Sequence, residues 1–258
     1  MTLLRRARRQ QPEPVEEGKV LTILEHLQEL RRRLIIAAGA LLVCTVASLV
    51  FTQRLLDWLT APAKDEVEDL SIIYTEPLEY WATYFRVALL AGIALAMPVI
   101  VYQFMAFVGP GLTRQERRWV YPIVLGASLS FLAGAAFAYY VELPPALKFL
   151  LSFSGDVAEP FIKIGSYINF VSRLMLVTGL VFEMPLVVMG LAKIGIVNSR
   201  RLIGWWRHAI VLAFVAAAIV TPSIDPVTQS LVAGPIIVLY FAGIVLAKLV
   251  EARPVLPR

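Results

Sequence analysis

Apolar runs recur along this chain at Leu34–Phe51, Tyr84–Val108, Tyr121–Val141, Ile168–Ala192, His208–Val220 and Leu231–Leu249. Most are long enough to cross a bilayer. Backbone groups in hydrocarbon must find their hydrogen bonds inside the segment, which leaves helices as the economical solution for runs of about 20 residues. The pattern predicts an all-α membrane protein with six transmembrane helices. Composition agrees: 59% of residues are hydrophobic and 17% charged, whereas a soluble domain has about half and about a quarter. The fifth run is the short one, since about 13 residues cover only about 20 Å of a core about 30 Å thick.

Residues 1–19 are basic and then acidic, with prolines (R-R-A-R-R, then P-E-P-V-E-E). Such a stretch buries no core, so a mobile tail is predicted, followed by a single membrane domain over 20–249 and a short tail over 250–258. Between Val20 and Leu34 the apolar positions Val20, Ile23, Leu24, Leu27, Leu30 and Leu34 fall on one helical face. Thr22 and Glu25 fit a capping box. Glu25, His26, Gln28, Glu29 and Arg31 to Arg33 fill the other face, and an N-terminal amphipathic helix lying in the membrane interface is predicted.

The net charge of +5 comes from 24 Lys and Arg against 19 Asp and Glu. The basic residues are sorted by side. They crowd the N-terminal segment (Arg5, Arg6, Arg8, Arg9, Lys19, Arg31, Arg32, Arg33), the loop after the second run (Arg114, Arg117, Arg118), the loop after the fourth (Lys193, Arg200, Arg201, Arg207) and the C-terminal end (Lys248, Arg253, Arg258). Acidic residues gather in the alternate loops, 57–79 and 142–159, and at Asp225. The positive-inside rule then places both termini in the cytoplasm, as an even number of spans requires. The basic charge is accounted for without nucleic acid. A single cysteine, Cys44, excludes a disulfide within the chain. Phosphate-loop, dinucleotide and H-E-x-x-H patterns are absent, and G-A-S-L-S at 126–130 lacks the last glycine of a nucleophile elbow. No metal site, cofactor or enzymatic activity is predicted.

Several polar residues stand out. Glu183, in V-F-E-M-P, lies within the fourth run, where a carboxylate costs roughly 2.5–3.5 kcal/mol. It serves either as a hydrogen-bonding group between helices or as a polar wall of a hydrated pocket, and intramembrane ionisable residues favour the second. Pro185 withholds a donor from the carbonyl of Val181. Glu29 is spaced to pair with Arg32 or Arg33. Glu116, in G-L-T-R-Q-E-R-R, has arginine neighbours too, but two carboxylates on the basic side also fit a basic ligand, because a guanidinium fork matches a carboxylate. Asp225 between two prolines reads as a turn residue. Phe107 reads as a lipid- or core-facing aromatic, and His26 and His208 read as interfacial polar groups.

Five motifs in order carry a resemblance: H-L-Q-E-L-R-R-R-L (26–34), A-P (61–62), M-P-V-I-V-Y-Q-F-M-A-F-V-G-P-G-L-T-R-Q-E-R-R (97–118), F-E-M-P (182–185) and T-P-S-I-D-P-V-T-Q (221–229). The chain resembles the TatC family, the multispanning core subunit of the twin-arginine protein translocase, from about Val20 to Leu249. The resemblance implies six spans, of which the fifth and sixth are short, with a concave face. It implies a signal-peptide site on the N-terminal helix and first cytoplasmic loop, carried by Glu29, Glu116 and Phe107 with His26 and Arg31. Glu183 matches a membrane-embedded glutamate of the concave face, Pro62 a proline of the first outer loop, and Asp225 an acid after the fifth span, in a T-P-S-I-D that is one residue longer than T-P-P-D. Thr221 and Gln229 fall where single-span TatA-type and TatB-type partners would dock. The implied activity is export of folded proteins across the cell's inner membrane by an oligomeric complex driven by the proton-motive force. Two other functions fit a multispan chain. A secondary transporter would use Glu183 as a proton relay, yet no inverted repeat is visible. A structural scaffold would need Glu183 only for assembly.

Overall fold

The computed structural model describes residues 23–66, 72–108, 120–152, 161–193, 195–221 and 225–251. The predicted tail over 1–19, the last seven residues and Glu116 lie outside them. Ten α-helices are present among the described residues: α1 (Ile23–Ser48), α2 (Thr52–Glu66), α3 (Pro77–Val108), α4 (Val120–Phe137), α5 (Leu143–Ser152), α6 (Ile164–Phe182), α7 (Met184–Lys193), α8 (Ser199–Gly204), α9 (Trp206–Val220) and α10 (Pro226–Val250). A π-helical turn, Ala138–Glu142, joins α4 to α5. Two short parallel strands, β1 (Ile72–Ile73) and β2 (Ile162–Lys163), pair the segment before α3 with the segment before α6.

Four stretches are long and apolar enough to cross a membrane: Pro77–Phe107, Val120–Ser152, Ile164–Lys193 and Pro226–Val250. Glu25–Ser48 and Thr52–Asp65 meet that test only together, bent by 81°. Length therefore supports four or five crossings. The remaining predicted span, α9, has 15 residues, about 22 Å of helix against a hydrocarbon core of about 30 Å.

The boundaries differ from the sequence reading in several places. The predicted interfacial helix and first span are one 26-residue helix, α1. No proline separates Arg33 from the apolar run, so helix propagation continues through the junction. The connection predicted between the first two spans is largely helical, as α2. The third span does not end at Val141 but continues through the π turn into α5, so Glu142 belongs to the helix rather than to an acidic loop. The sixth span is not short: α10 has 25 residues, because Asp225 caps it and Pro226 opens it, and Pro235 inside does not end it. The second span begins earlier than Tyr84, since α3 opens at Pro77.

In the core, α1 packs along α3, α3 against α4 and α6, α4 against α6, and α10 against α7 and α9. The fully buried Leu143, Ile168, Val171 and Leu174 mark the centre where the π turn meets α6, with Leu56 and Leu59 of α2 in the same cluster. Tyrosines fasten α2 to this core. The Tyr84 hydroxyl donates to the carbonyl of Leu49 at the α1–α2 bend (2.8 Å), and that of Tyr167 to Leu59 (2.7 Å). Tyr139 donates to the carbonyl of Trp58 (2.7 Å) and stacks on its ring at 3.9 Å. Trp58 lies four residues before Pro62, inside α2. Proline has no N–H to offer the carbonyl at i−4, so Pro62 leaves the Trp58 oxygen open and Tyr139 takes it.

This chain of cause predicts a coupled pair of mutations. Tyr139→Phe alone leaves the Trp58 carbonyl without a donor and should lower unfolding free energy by about 1–3 kcal/mol. With Pro62→Ala present, residue 62 supplies an N–H, and the same Tyr139→Phe change should cost about 1 kcal/mol less. Thermal unfolding of the four variants in detergent measures the coupling; additive effects would show that Pro62 does not govern the tyrosine contact.

Candidate functional site

The polar face of α1 is legible from helical geometry. His26, Glu29 and Arg33 recur at i, i+3 and i+7 and so lie on one side, toward α3, where Gln103 and Phe107 stand one turn apart. The His26 and Phe107 rings stack at 4.4 Å with 26° between their planes. Arg33 bridges the two helices: Nη2 donates to Glu29 Oε1 at 2.9 Å and Nη1 to Gln103 Oε1 at 3.2 Å. Both members of the Glu29–Arg33 pair are half-buried, with side chains 23% and 28% exposed. The spacing had allowed Arg32 or Arg33 as the partner of Glu29, and the structure selects Arg33.

His26, Glu29 and Phe107 are thus brought together. Arg31 is exposed and lies about 200° around the helix from Glu29, so it does not join them. Glu116, eight residues beyond the end of α3, is outside the described residues. Gln103 escaped the sequence reading because an uncharged side chain in an apolar run carries no electrostatic cost. Its position one turn before Phe107 was the available signal.

A second polar region lies where α4 and the π turn cross α6. Glu183 occupies the single non-helical position between α6 and α7, with its amide bonded to the Leu180 carbonyl (3.1 Å). Pro185 two residues later explains the break, since Val181 has no donor at i+4. The Glu183 Oε1 is buried with no hydrogen-bond partner among the described residues, while the Ser130 hydroxyl of α4 donates to the neighbouring Phe182 carbonyl at 2.8 Å. Glu142, missed as a site residue because it was assigned to an outer loop, is 2% exposed. Its Oε2 accepts from the Thr178 hydroxyl at 2.8 Å, and its Oε1 is a second buried carboxyl oxygen with no partner among the described residues. The π turn supplies the extra residue that aims it inward, a distortion found often at functional positions.

At the α9–α10 corner, Asp225 is a helix cap. Its Oδ1 accepts from the amides of Val227 (3.1 Å) and Thr228 (2.7 Å), and its Oδ2 from the Thr228 hydroxyl. The extra residue in T-P-S-I-D therefore still delivers the acid to the start of α10. Thr221 is buried and donates to the Ala217 carbonyl at 3.0 Å, which leaves it facing its own helix. Gln229 donates to the Phe214 carbonyl at 3.0 Å and borders an open apolar groove with Ile210, Val211, Val215, Ala218 and Ile219.

These features define a multi-pass α-helical membrane protein with a half-buried polar cluster at one end of its first helix pair and carboxyl groups inside its helix bundle. A family model described as Sec-independent protein translocase protein (TatC) matches residues 25–235. The Sec-independent protein translocase protein TatC of Synechocystis sp. is 43% identical over 233 residues, covering 90% of this chain and 89% of that one. That of Aquifex aeolicus is 38% identical over 235 residues, covering 90% and 97%. A crystal structure of the twin arginine translocase receptor TatC matches with a TM-score of 0.81 at 38% identity, over 88% of this chain and 99% of the other. The chain belongs to the TatC family.

Proposed function

We propose that this chain is the receptor subunit of a twin-arginine translocase, a six-span protein of the cell's inner membrane with both termini in the cytoplasm. In this reading, Glu29 and Glu116 receive the two arginines of a folded cargo's signal peptide. The observation that carries it is the placement of Glu29: half-buried, beside the His26–Phe107 stack, at the end of α3 from which the Glu116 loop departs. A carboxylate held there makes stronger charge-assisted hydrogen bonds to a guanidinium than one in bulk water. The apolar stretch of the signal then lies along the concave face that includes Glu183. Single-span subunits of the TatA and TatB types gather in the α9–α10 groove, where the short α9 thins the local bilayer and Gln229 supplies a polar contact, and the proton-motive force drives transport.

The test is photocrosslinking of a twin-arginine signal peptide to the chain in membranes. Glu29→Ala and Glu116→Ala should each reduce crosslinking about tenfold or more, the loss of charge-assisted bonds of about 1.5–3 kcal/mol. A Lys-Lys peptide should crosslink less than Arg-Arg because an ammonium cannot fork across two oxygens. Undiminished crosslinking in both variants overturns the assignment.

A further inference from the structure

Resting on that reading, the geometry points to a competitor built into the site: Arg33 holds Glu29 in place of the ligand's guanidinium, and Gln103 receives Arg33 when the ligand arrives. Three observations support it. The carboxylate proposed to bind arginine is already bound to an arginine, through a single oxygen, at 2.9 Å. That arginine uses its other terminal nitrogen on Gln103 of a different helix, at 3.2 Å. Glu29 Oε2 has no hydrogen bond among the described residues, so an incoming guanidinium can start there before Arg33 lets go.

The physical consequence follows from competition. An internal guanidinium tethered one helical turn away is always present at high effective concentration. Every ligand of Glu29 must displace it, so it weakens all of them by the same factor. Strong twin-arginine ligands remain bound, while single-charge or Lys-Lys ligands fall below useful affinity. A displaced Arg33 is half-buried and must keep an acceptor. Gln103 keeps it hydrogen-bonded on α3, so exchange does not strand a cation against the apolar run of α1. Both residues are positioning residues of the receptor, acting through Glu29.

The experiment is fluorescence anisotropy of labelled Arg-Arg and Lys-Lys signal peptides on the full chain in lipid nanodiscs. Arg33→Gln should tighten both peptides by about twofold to fivefold, the upper half of the range for a helical or surface ion pair, and leave their ratio unchanged. Removing a positive charge could by itself favour a cationic peptide, so the decisive measurement is neutral in charge. Gln103→Leu should weaken the Arg-Arg peptide several-fold when Arg33 is present and have no effect in the Arg33→Gln background. Equal effects of Gln103→Leu in both backgrounds, or weaker binding in a folded Arg33→Gln, would overturn the competitor. If Arg33→Gln does not fold, Gln103→Leu serves by itself: unchanged or tighter Arg-Arg binding there would overturn the competitor. Failure of the underlying receptor reading looks different. There, Glu29→Gln leaves peptide affinity untouched whatever residue 33 is.

Discussion

Gly92→Leu is expected to separate the first helix pair and abolish signal-peptide binding without touching the polar cluster directly. A Cβ built at Gly92 would lie 2.7 Å from the Cα of Thr45 and 2.8 Å from its amide nitrogen. Those are backbone atoms of α1, which cannot turn aside as a side chain can. Helices in lipid associate through close van der Waals packing at small residues, since the bilayer offers no hydrophobic drive between them. Moving α1 outward should cost at least about 3 kcal/mol, the upper end of overpacking penalties. It also pulls His26 from Phe107 and Arg33 from Gln103, since each pair spans the two helices. Gly39→Leu is the control: a Cβ there meets nothing within 4 Å. Limited proteolysis in membranes together with peptide crosslinking reads both effects. A folded, binding-competent Gly92→Leu would show that the close approach is not required.

Gly134→Leu should produce a comparable loss of stability with a different functional signature. Its Cβ would lie 2.8 Å from the Thr178 carbonyl oxygen and 2.9 Å from the Cα of Gly179, with the Phe182 ring equally near. This is the crossing of α4 and α6, with the Glu142–Thr178 hydrogen bond on one side and Glu183 on the other. Forcing it apart should cost about 3 kcal/mol or more, break the Thr178 contact and disturb the Glu183 junction, while α1 and α3 stay paired. Peptide crosslinking at the polar cluster of α1 and α3 should therefore survive in the protein that still folds at low temperature, whereas export in cells should fail. Gly126→Leu, at a position with open space, should be tolerated. Loss of crosslinking and export together at low temperature would mean that the two helix pairs are not independent.

The two glycine contacts illustrate what could not be read along the chain. Gly92 and Gly134 sit in apolar runs as Gly39 and Gly126 do, and nothing local distinguishes the two pairs. Only the neighbouring helix makes one pair indispensable. Glu142 teaches the same point from the opposite direction. Hydropathy falls at V-E-L-P-P, so the sequence reading ends the span there. Tertiary packing carries the helix on through a π turn and buries the acid against Thr178. By contrast, Glu29 with Arg33 and the cap at Asp225 are local events within about four residues, and each was legible or nearly so.

What the sequence by itself determined is the solvent and the family of the molecule: long apolar runs demand helices in lipid, and motif order identifies a family, while sorted Lys and Arg predict an orientation. What only the tertiary structure decided is which polar atoms meet. Arg33 rather than Arg32 holds Glu29, Gln103 completes the bridge from another helix, and Tyr139 answers the carbonyl that Pro62 leaves open. The reason is physical. Lipid solvation and helical hydrogen bonding act on each segment alone, whereas helix pairing in a bilayer depends on atomic fit between segments remote in the chain.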